Sequence, residues 1–138
     1  MNETPFRYAP GSRARVIDGT TVVELSGEID ILAAPHLWTR LDPLTAGPCP
    51  DLVLDLRPVS FIDCSGLAVL CRTRNRVLDR GGRLRLVISS PRILRILRCT
   101  GLGHAFEVTP DLPAHLARAR VPHGPGACRC RGPGGPAA

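Results

Sequence analysis

The stretch "DLVLDLRPVSFIDCSGLAVLCRTRNRVLDRGG", residues 51–82, changes its hydrophobic pattern partway along and thereby decides the fold class. It opens with a compact apolar run that contains two acidic side chains, a pattern typical of an interior strand, and Pro58 bounds that run. Further along, apolar side chains recur on one helical face, with arginines on the other: Leu67, Leu70, Val77 and Leu78. Gly81 and Gly82 end this helix, as glycines commonly do. A strand followed by a helix is the repeating unit of α/β proteins, so the stretch predicts that class.

The same alternation extends toward the N-terminus. Residues 14–17 and 21–25 form two short predicted strands, and the Asp18-Gly19 pair between them is a strong signal for a hairpin turn. A helix is predicted next, because Pro35 is tolerated in a first turn and apolar residues follow roughly helical spacing: Ile31, Leu32, Leu37, Leu41 and Leu44. The hairpin adds an antiparallel edge to an otherwise parallel sheet.

Toward the C-terminus the alternation continues. Residues 83–88 alternate like a strand, and a short helix begins after Ser90 and stops at Gly101. Residues 105–109 form a last short strand before a helix that begins at Asp111. Together the patterns predict an α/β fold with a mixed sheet of about five strands, an N-terminal antiparallel hairpin and about four helices.

The chain divides into one domain and two terminal segments. With 138 residues, 43% of them hydrophobic and 22% charged, it has room for a single domain, which we predict over residues 13–120. Residues 1–12 are predicted to be a flexible N-terminus. The tail 121–138 is rich in Pro, Gly and Arg, cannot build a core, and is predicted to be disordered.

Composition limits the partners and the compartment. No apolar run approaches the roughly 18 residues that a membrane span needs, and the N-terminus lacks the apolar stretch of a signal peptide. We therefore expect a cytoplasmic protein with no membrane partner. A net charge of +6 would suit nucleic acid, yet all 18 basic residues are Arg, a skew typical of genome base composition. Because no basic stripe is interleaved with aromatic residues, direct nucleic-acid binding is not expected.

An acid, a thiol and a hydroxyl stand together where the helix begins, at Asp63, Cys64 and Ser65. Three interpretations compete: a catalytic nucleophile, a helix cap, and a hydroxyl that another enzyme modifies. The nucleophile elbow of serine hydrolases requires glycine two residues either side of the serine, where this chain has Asp63 and Leu67. Capping accounts for one side chain that accepts a hydrogen bond from a free backbone N–H. It does not explain why small residues, including Gly66, follow an apolar loop and keep the surface around Ser65 uncrowded.

Two other motifs lead to no cofactor or metal prediction. Residues 101–106 resemble part of a dinucleotide loop, but they follow a helix and Phe106 stands where a glycine belongs, so a helix stop and turn is favoured. Cys128 and Cys130 in the tail supply too few ligands for a closed zinc site. We therefore predict neither a cofactor nor a bound metal.

The order of several motifs over about residues 13–120 resembles the anti-sigma factor antagonists of the STAS domain family. The most specific of these motifs are "GEID" at 27–30, "FIDCSGL" at 61–67 and "TGL" at 100–102. The resemblance implies a bacterial partner-switching protein rather than an enzyme. Its unphosphorylated form would bind a cognate anti-sigma factor that is also a serine kinase, and would thereby release a sigma factor for transcription.

The resemblance also implies which residues take part. The kinase of such a system phosphorylates a serine at the start of the second helix, which by position is Ser65, and a phosphatase acting on phosphorylated Ser65 restores binding. Cys64 stands where the family very often has Ser or Thr, so Ser65 is the only hydroxyl of the motif. The partner-binding residues implied by position are Asp30, Asp63, Cys64, Ser65, Gly66 and Leu67.

Two alternatives and two geometric expectations accompany this hypothesis. The alternatives are a STAS interaction scaffold that is not phosphorylated, and a small serine hydrolase. Because parallel sheets gather functional groups at the carboxyl ends of their strands, we expect an exposed Ser65 near Asp63 and Asp30, with Asp30 orienting the hydroxyl or shaping the partner surface. Free N–H groups of the helix are expected to accommodate a phosphate on Ser65 and to leave domain stability nearly unchanged.

Overall fold

The N-terminal hairpin forms at the predicted turn and is longer than predicted. The computed structural model describes residues 11–117, in which β1 (Gly11–Ile17) pairs antiparallel with β2 (Thr20–Ile29). Asp18 and Gly19 have φ values of 51° and 84°, and two left-handed residues are what a type I′ hairpin turn requires. β2 is long because it pairs with β1 and with two further strands.

The elements after β2 alternate between strand and helix as predicted. The sheet order is β1-β2-β3-β5-β6, β4 pairs with β2, and every pair except β1 with β2 is parallel. The mixed α/β sheet and, within residues 11–117, the four helices are thus confirmed. The elements are α1 (Ala34–Leu41), β3 (Asp51–Asp55), β4 (Val59–Ile62), α2 (Cys64–Asp79), β5 (Arg83–Val87), α3 (Pro91–Cys99), β6 (Glu107–Thr109) and α4 (Ala114–Ala117), with short 3-10 turns at Asp42–Thr45 and Leu102–His104.

β4 is a strand that the sequence did not predict, since residues 59–62 were expected to form an apolar loop. It pairs in parallel with the last residues of β2, and the register shifts between Gly27 and Glu28. Such an irregularity bends a strand and changes the direction of its last residues. A four-residue strand is too short for periodicity to identify, so its pairing could not be foreseen from local sequence.

The first helix starts later than its apolar pattern suggested. Ile31 and Leu32, predicted to lie in the helix, precede it and are 68% and 56% exposed. Leu37 and Leu41 do face the core, and both are 1% exposed. The apolar spacing was misleading because β2 ends at Ile29 and a turn intervenes before α1. Two smaller corrections concern Leu78, which is exposed rather than part of the apolar face of α2, and α4, which begins at Ala114 rather than at Asp111.

The sheet separates two apolar clusters. The larger contains the inward side chains of α1, α2 and α3 packed on alternate strand residues such as Leu52 and Leu54. The smaller lies on the opposite face, where Leu116 of α4 packs on Val22, Val53 and neighbouring side chains. None of the helices within residues 11–117 has the length and apolarity that crossing a bilayer takes.

The structure bears on the terminal segments only in part. β1 begins at Gly11, inside the segment 1–12 that the sequence-based division assigns to the N-terminus. The predictions for residues 1–10 and for the tail 121–138, with Cys128 and Cys130, lie outside the described residues.

Candidate functional site

The loops that follow β2 and β4 lie side by side at one edge of the sheet. Ile29 is the register partner of Ile62 in the parallel β2–β4 pair. The next residue after each, Asp30 and Asp63, therefore come close, and the Asp63 N–H donates to the Ile29 carbonyl at 3.3 Å. α2 starts directly after Asp63, so Ser65 stands at this edge as well. The expectation that these two aspartates and the serine share one end of the sheet is confirmed.

Asp63 caps α2 with its carboxylate. Its backbone is extended (φ −119°, ψ −167°), and its Oδ1 accepts hydrogen bonds from the N–H groups of Ser65 (2.8 Å) and Gly66 (3.1 Å). The Leu67 N–H donates to the Asp63 carbonyl at 2.9 Å. The capping interpretation is therefore correct for Asp63. The expectation that the helix offers free N–H groups to a phosphate is wrong for residues 65–67, because Asp63 accepts from all of them.

Asp30 makes a similar turn at the end of β2. Its Oδ1 accepts hydrogen bonds from the N–H groups of Leu32 and Ala33, both at 3.1 Å. Its carbonyl accepts from the N–H groups of Ala33 and Ala34, both at 3.0 Å, so Asp30 fixes the path of the chain into α1. Among the described residues Asp30 forms no hydrogen bond with Ser65. It shapes the neighbouring loop and does not orient the hydroxyl.

The Ser65 hydroxyl has no catalytic arrangement around it. Ser65 is half-buried rather than fully exposed, whereas Cys64 is exposed. Across residues 11–117 no histidine or carboxylate forms a hydrogen bond with the hydroxyl, and the Asp63 carboxylate is already bonded to backbone N–H groups. A serine nucleophile needs a general base within hydrogen-bond reach. The described part of the chain therefore gives the hydrolase interpretation no support.

Gly66 and Leu67 are buried and support the site from within. A Cβ atom on Gly66 would lie 2.5 Å from the Ile29 carbonyl oxygen and 2.5 Å from Cγ1 of Ile62, so only glycine lets α2 approach the ends of β2 and β4 this closely. Leu67 is 7% exposed and belongs to the larger core cluster. Both residues therefore hold the helix start in place from within, and their assignment as partner-binding residues stays a prediction.

Three exposed apolar side chains flank this junction, and the sequence interpretation missed them. Ile31 and Leu32 follow Asp30, and Phe61, 47% exposed, precedes the buried Ile62 on β4. Large exposed apolar side chains near a candidate site are available for contact with a partner. The sequence did contain a signal for the exposure of Phe61. Once residues 59–62 are recognised as a strand, neighbouring side chains point to opposite faces, so a buried Ile62 implies an outward Phe61.

The described residues hold no metal-binding cluster. Across residues 11–117 no three His, Cys, Asp or Glu side chains come together in a way that could hold a metal ion. Residues 101–106 begin with a left-handed Gly101 (φ 78°) after α3 and continue into a short 3-10 turn. This geometry is the helix stop that the sequence favoured.

Comparison with known proteins gives consistent matches. The anti-sigma-B factor antagonist of Bacillus subtilis is 38% identical over 87 residues, which cover 63% of this chain and 79% of that protein. The anti-sigma-F factor antagonist RsfA of Mycobacterium tuberculosis is 30% identical over 118 residues, covering 83% of this chain and 91% of that protein. The crystal structure of an anti-sigma factor antagonist from Mycobacterium paratuberculosis superimposes with a TM-score of 0.71 at 32% identity, covering 79% of this chain and 92% of that one.

The family assignment rests on sequence and fold together. A sequence model of the STAS domain matches residues 12–115, which include the sheet except for Gly11 and also include the junction at Asp63. The mixed sheet with its N-terminal antiparallel hairpin agrees with the expected fold, and β4 is a sixth strand where about five were predicted. The chain belongs to the STAS domain family.

Proposed function

We propose that this protein is an anti-sigma factor antagonist that acts by partner switching in the cytoplasm. In its unphosphorylated form it binds a cognate anti-sigma factor and thereby releases a sigma factor. The serine kinase activity of the same anti-sigma factor phosphorylates Ser65 and ends binding, and a phosphatase restores the hydroxyl. The observation that carries this proposal is a serine hydroxyl at a capped helix start, with no base bonded to it among residues 11–117 and with exposed apolar side chains in the adjoining segments. The similarity to proteins named anti-sigma factor antagonists supports it.

The surface around Ser65 suits a partner that reads a neutral hydroxyl. Cys64 is exposed, and Ile31, Leu32 and Phe61 are each about half exposed or more. Burying apolar area of this kind gives roughly 25 cal/mol per Å². Binding would therefore gain from these side chains while the small hydroxyl is covered at little cost.

Phosphorylation would reverse that balance at the same position. A phosphate adds about −1.5 to −2 charges, and the N–H groups of residues 65–67 are already bonded to Asp63. A partner fitted to the hydroxyl would have to desolvate the dianion, at a cost of several kcal/mol. A loss of about 4 kcal/mol weakens binding roughly a thousandfold.

The test uses the full chain in two forms, with Ser65 unmodified or replaced during translation by phosphoserine. Each form is immobilised and exposed to extract of the source organism, and captured proteins are identified by mass spectrometry. We expect the unmodified form alone to capture an anti-sigma factor. Equal capture by both forms would end the switch proposal.

A second arm tests the modified residue. The purified anti-sigma factor and ATP are added to the protein, to Ser65→Ala and to Ser60→Ala, since Ser60 is an exposed serine on β4 and serves as a matched control. The protein and Ser60→Ala should gain one phosphate, whereas Ser65→Ala should gain none and still bind. Capture without any phosphorylation would favour the scaffold alternative. Ester hydrolysis that Ser65→Ala abolishes would favour the hydrolase.

A further inference from the structure

The one tryptophan of the chain is on the surface. Trp38 lies on α1 and is 38% exposed, in a chain whose aromatic content is only 4%. A tryptophan gains most from burial, and at protein interfaces it is among the side chains that carry most of the binding energy. Its partial exposure on a helix beside α2 therefore needs a functional explanation.

The Trp38 ring is part of a clamped cluster. The Arg72 guanidinium lies over it, with Cζ 5.4 Å from the ring centroid. Asp42 holds Arg72 by two hydrogen bonds, Nη2 to Oδ2 at 2.8 Å and Nε to Oδ1 at 3.3 Å. Arg76 approaches the same carboxylate at 3.4 Å and donates to Thr45 Oγ1 at 2.9 Å.

The clamp holds the Arg72 guanidinium over the ring and leaves the cluster positively charged. Hydrogen bonding to Arg72 lowers the pKa of Asp42, so the carboxylate stays ionised and remains bonded to Arg72 at neutral pH. Two arginines on one carboxylate leave one net positive charge, and Arg72 remains 45% exposed. A preorganised side chain loses less entropy when a partner covers it.

The cluster lies on the same face of α2 as Ser65. Arg72 follows Ser65 by seven positions, which is close to two helical turns and a rise of about 10.5 Å. Ala68, one turn from each, is exposed and too small to rise between them. On this face of α2, no large side chain therefore stands between Ser65 and Arg72.

An interface of ordinary size is large enough to include both Ser65 and Arg72. Standard interfaces cover about 800 Å² per partner, which corresponds to a disc of roughly 16 Å radius. A partner centred on Ser65 would reach Arg72 along α2. By contrast Leu78, 47% exposed on the same helix, points to another side and belongs to no such cluster.

We propose that Trp38 and Arg72, clamped by Asp42, form a second anchor for the anti-sigma factor. This inference rests on the proposed function and adds the chemistry of the partner: an apolar recess that receives the indole ring, edged by a carboxylate that meets the net positive charge. Such a recess selects among anti-sigma factors, because one without it would leave the ring and the guanidinium imperfectly covered.

The test measures the affinity of the captured anti-sigma factor for single variants by calorimetry. Trp38→Ala and Arg72→Ala should each weaken binding about thirtyfold, as for a hot-spot side chain, and Trp38→Phe should weaken it less. The matched control Leu78→Ala should bind within about twofold of the unmodified protein, since isolated surface side chains contribute little. Circular dichroism confirms that each variant is folded.

A second measurement needs no substitution that endangers folding. Incorporation of 5-fluorotryptophan gives a single fluorine resonance, since Trp38 is the only tryptophan of the chain. That resonance should shift when the anti-sigma factor is added, and should not shift when Ser65 carries phosphate. If phosphate on Ser65 abolishes binding while Trp38→Ala binds normally and the resonance stays in place, the second anchor is wrong and the switch stands. If the unmodified protein binds no anti-sigma factor, the second anchor and the partner switch are both wrong.

Discussion

At the residue scale, Asp63 sets the geometry of the site, and its replacement tests how much α2 depends on the cap. Asp63→Ala removes the acceptor for the N–H groups of Ser65 and Gly66. We expect a loss of about 1 kcal/mol in the free energy of unfolding and a fall in Tm of about 4 °C or more, measured by urea and thermal unfolding. Asp63→Asn keeps an accepting oxygen and should lose less than half as much. Equal losses for both variants would mean that charge, and not capping, is what Asp63 contributes.

The same cap predicts that phosphorylation of Ser65 is felt within the domain. The sequence led us to expect free N–H groups that would balance the added charge. In the structure the N–H groups of residues 65–67 already donate to Asp63. The phosphate and the Asp63 carboxylate then repel each other, and the N–H groups of residues 65–67 supply no new donor to offset this. We expect the phosphorylated protein to unfold more easily, by about 0.5–1 kcal/mol at low salt. Urea unfolding should show this difference shrinking as salt screens the two charges, and a stabilising effect of phosphate would contradict it.

At the scale of elements, the approach of α2 to β2 and β4 depends on Gly66. Gly66→Ala would place a Cβ atom 2.5 Å from a backbone oxygen of Ile29, which cannot swing aside as a flexible side chain can. The helix start must therefore shift, and we expect a destabilisation of about 1–3 kcal/mol, typical of overpacking, together with weaker partner binding. Gly47→Ala is the matched control, because nothing lies within 4 Å of its added Cβ. Unfolding curves for both variants check the prediction, and an unchanged Gly66→Ala would contradict it.

Elements with a strong local signal were predictable from the sequence. The Asp18-Gly19 turn fixes the hairpin, and the apolar face of α2 is long enough to define a helix. β4 was not predictable, because its four residues pair with a strand about thirty positions earlier and local patterns do not encode that pairing. The exposure of Ile31 and Leu32 was missed for a related reason: their spacing matches a helix, but a turn after β2 removes them from it.

At the scale of the whole molecule, ion pairs between separate elements make stability depend on pH. Arg72 on α2 lowers the pKa of Asp42, chiefly through a hydrogen bond. A carboxyl that binds its proton less readily in the folded chain stabilises the fold above its unfolded pKa of about 4, and loses that contribution as pH falls through the lower folded pKa. Asp42→Asn should therefore reduce the free energy of unfolding at pH 7 by a fraction of a kcal/mol, as expected for a partly exposed pair. The difference should disappear as the pH falls through the folded pKa of Asp42.

Urea unfolding at several pH values measures this dependence. Asp79→Asn is the control, because Asp79 is exposed and forms no ion pair within residues 11–117. A difference for Asp42→Asn that grew as the pH fell would contradict the prediction.

The fold class and the position of the site could be predicted from the sequence, whereas β4 and the detailed contacts of the site could not. The strand–helix alternation predicted the class. The rule that parallel sheets gather functional groups at the carboxyl ends of their strands predicted that Ser65 and both aspartates share one edge. The sequence could not show that Asp63 accepts from three successive N–H groups, or that Gly66 and Leu67 are buried. Those facts depend on distances between elements, which residue type and spacing do not determine.

β2 takes part in three strand pairings, and the order in which these pairings form determines when the site is assembled during folding. The β1–β2 hairpin is local in sequence, and hairpins close in about 1–10 μs. The pairing of Ile29 with Ile62 joins distant parts of the chain, and long-range parallel pairing is slow because loop-closure entropy is lost before contacts compensate for it. In a refolding chain, the position of Ser65 against β2 is therefore established at a late step. A kinase that recognises the assembled junction would modify only molecules that have finished folding, so phosphate incorporation would lag behind recovery of the hairpin.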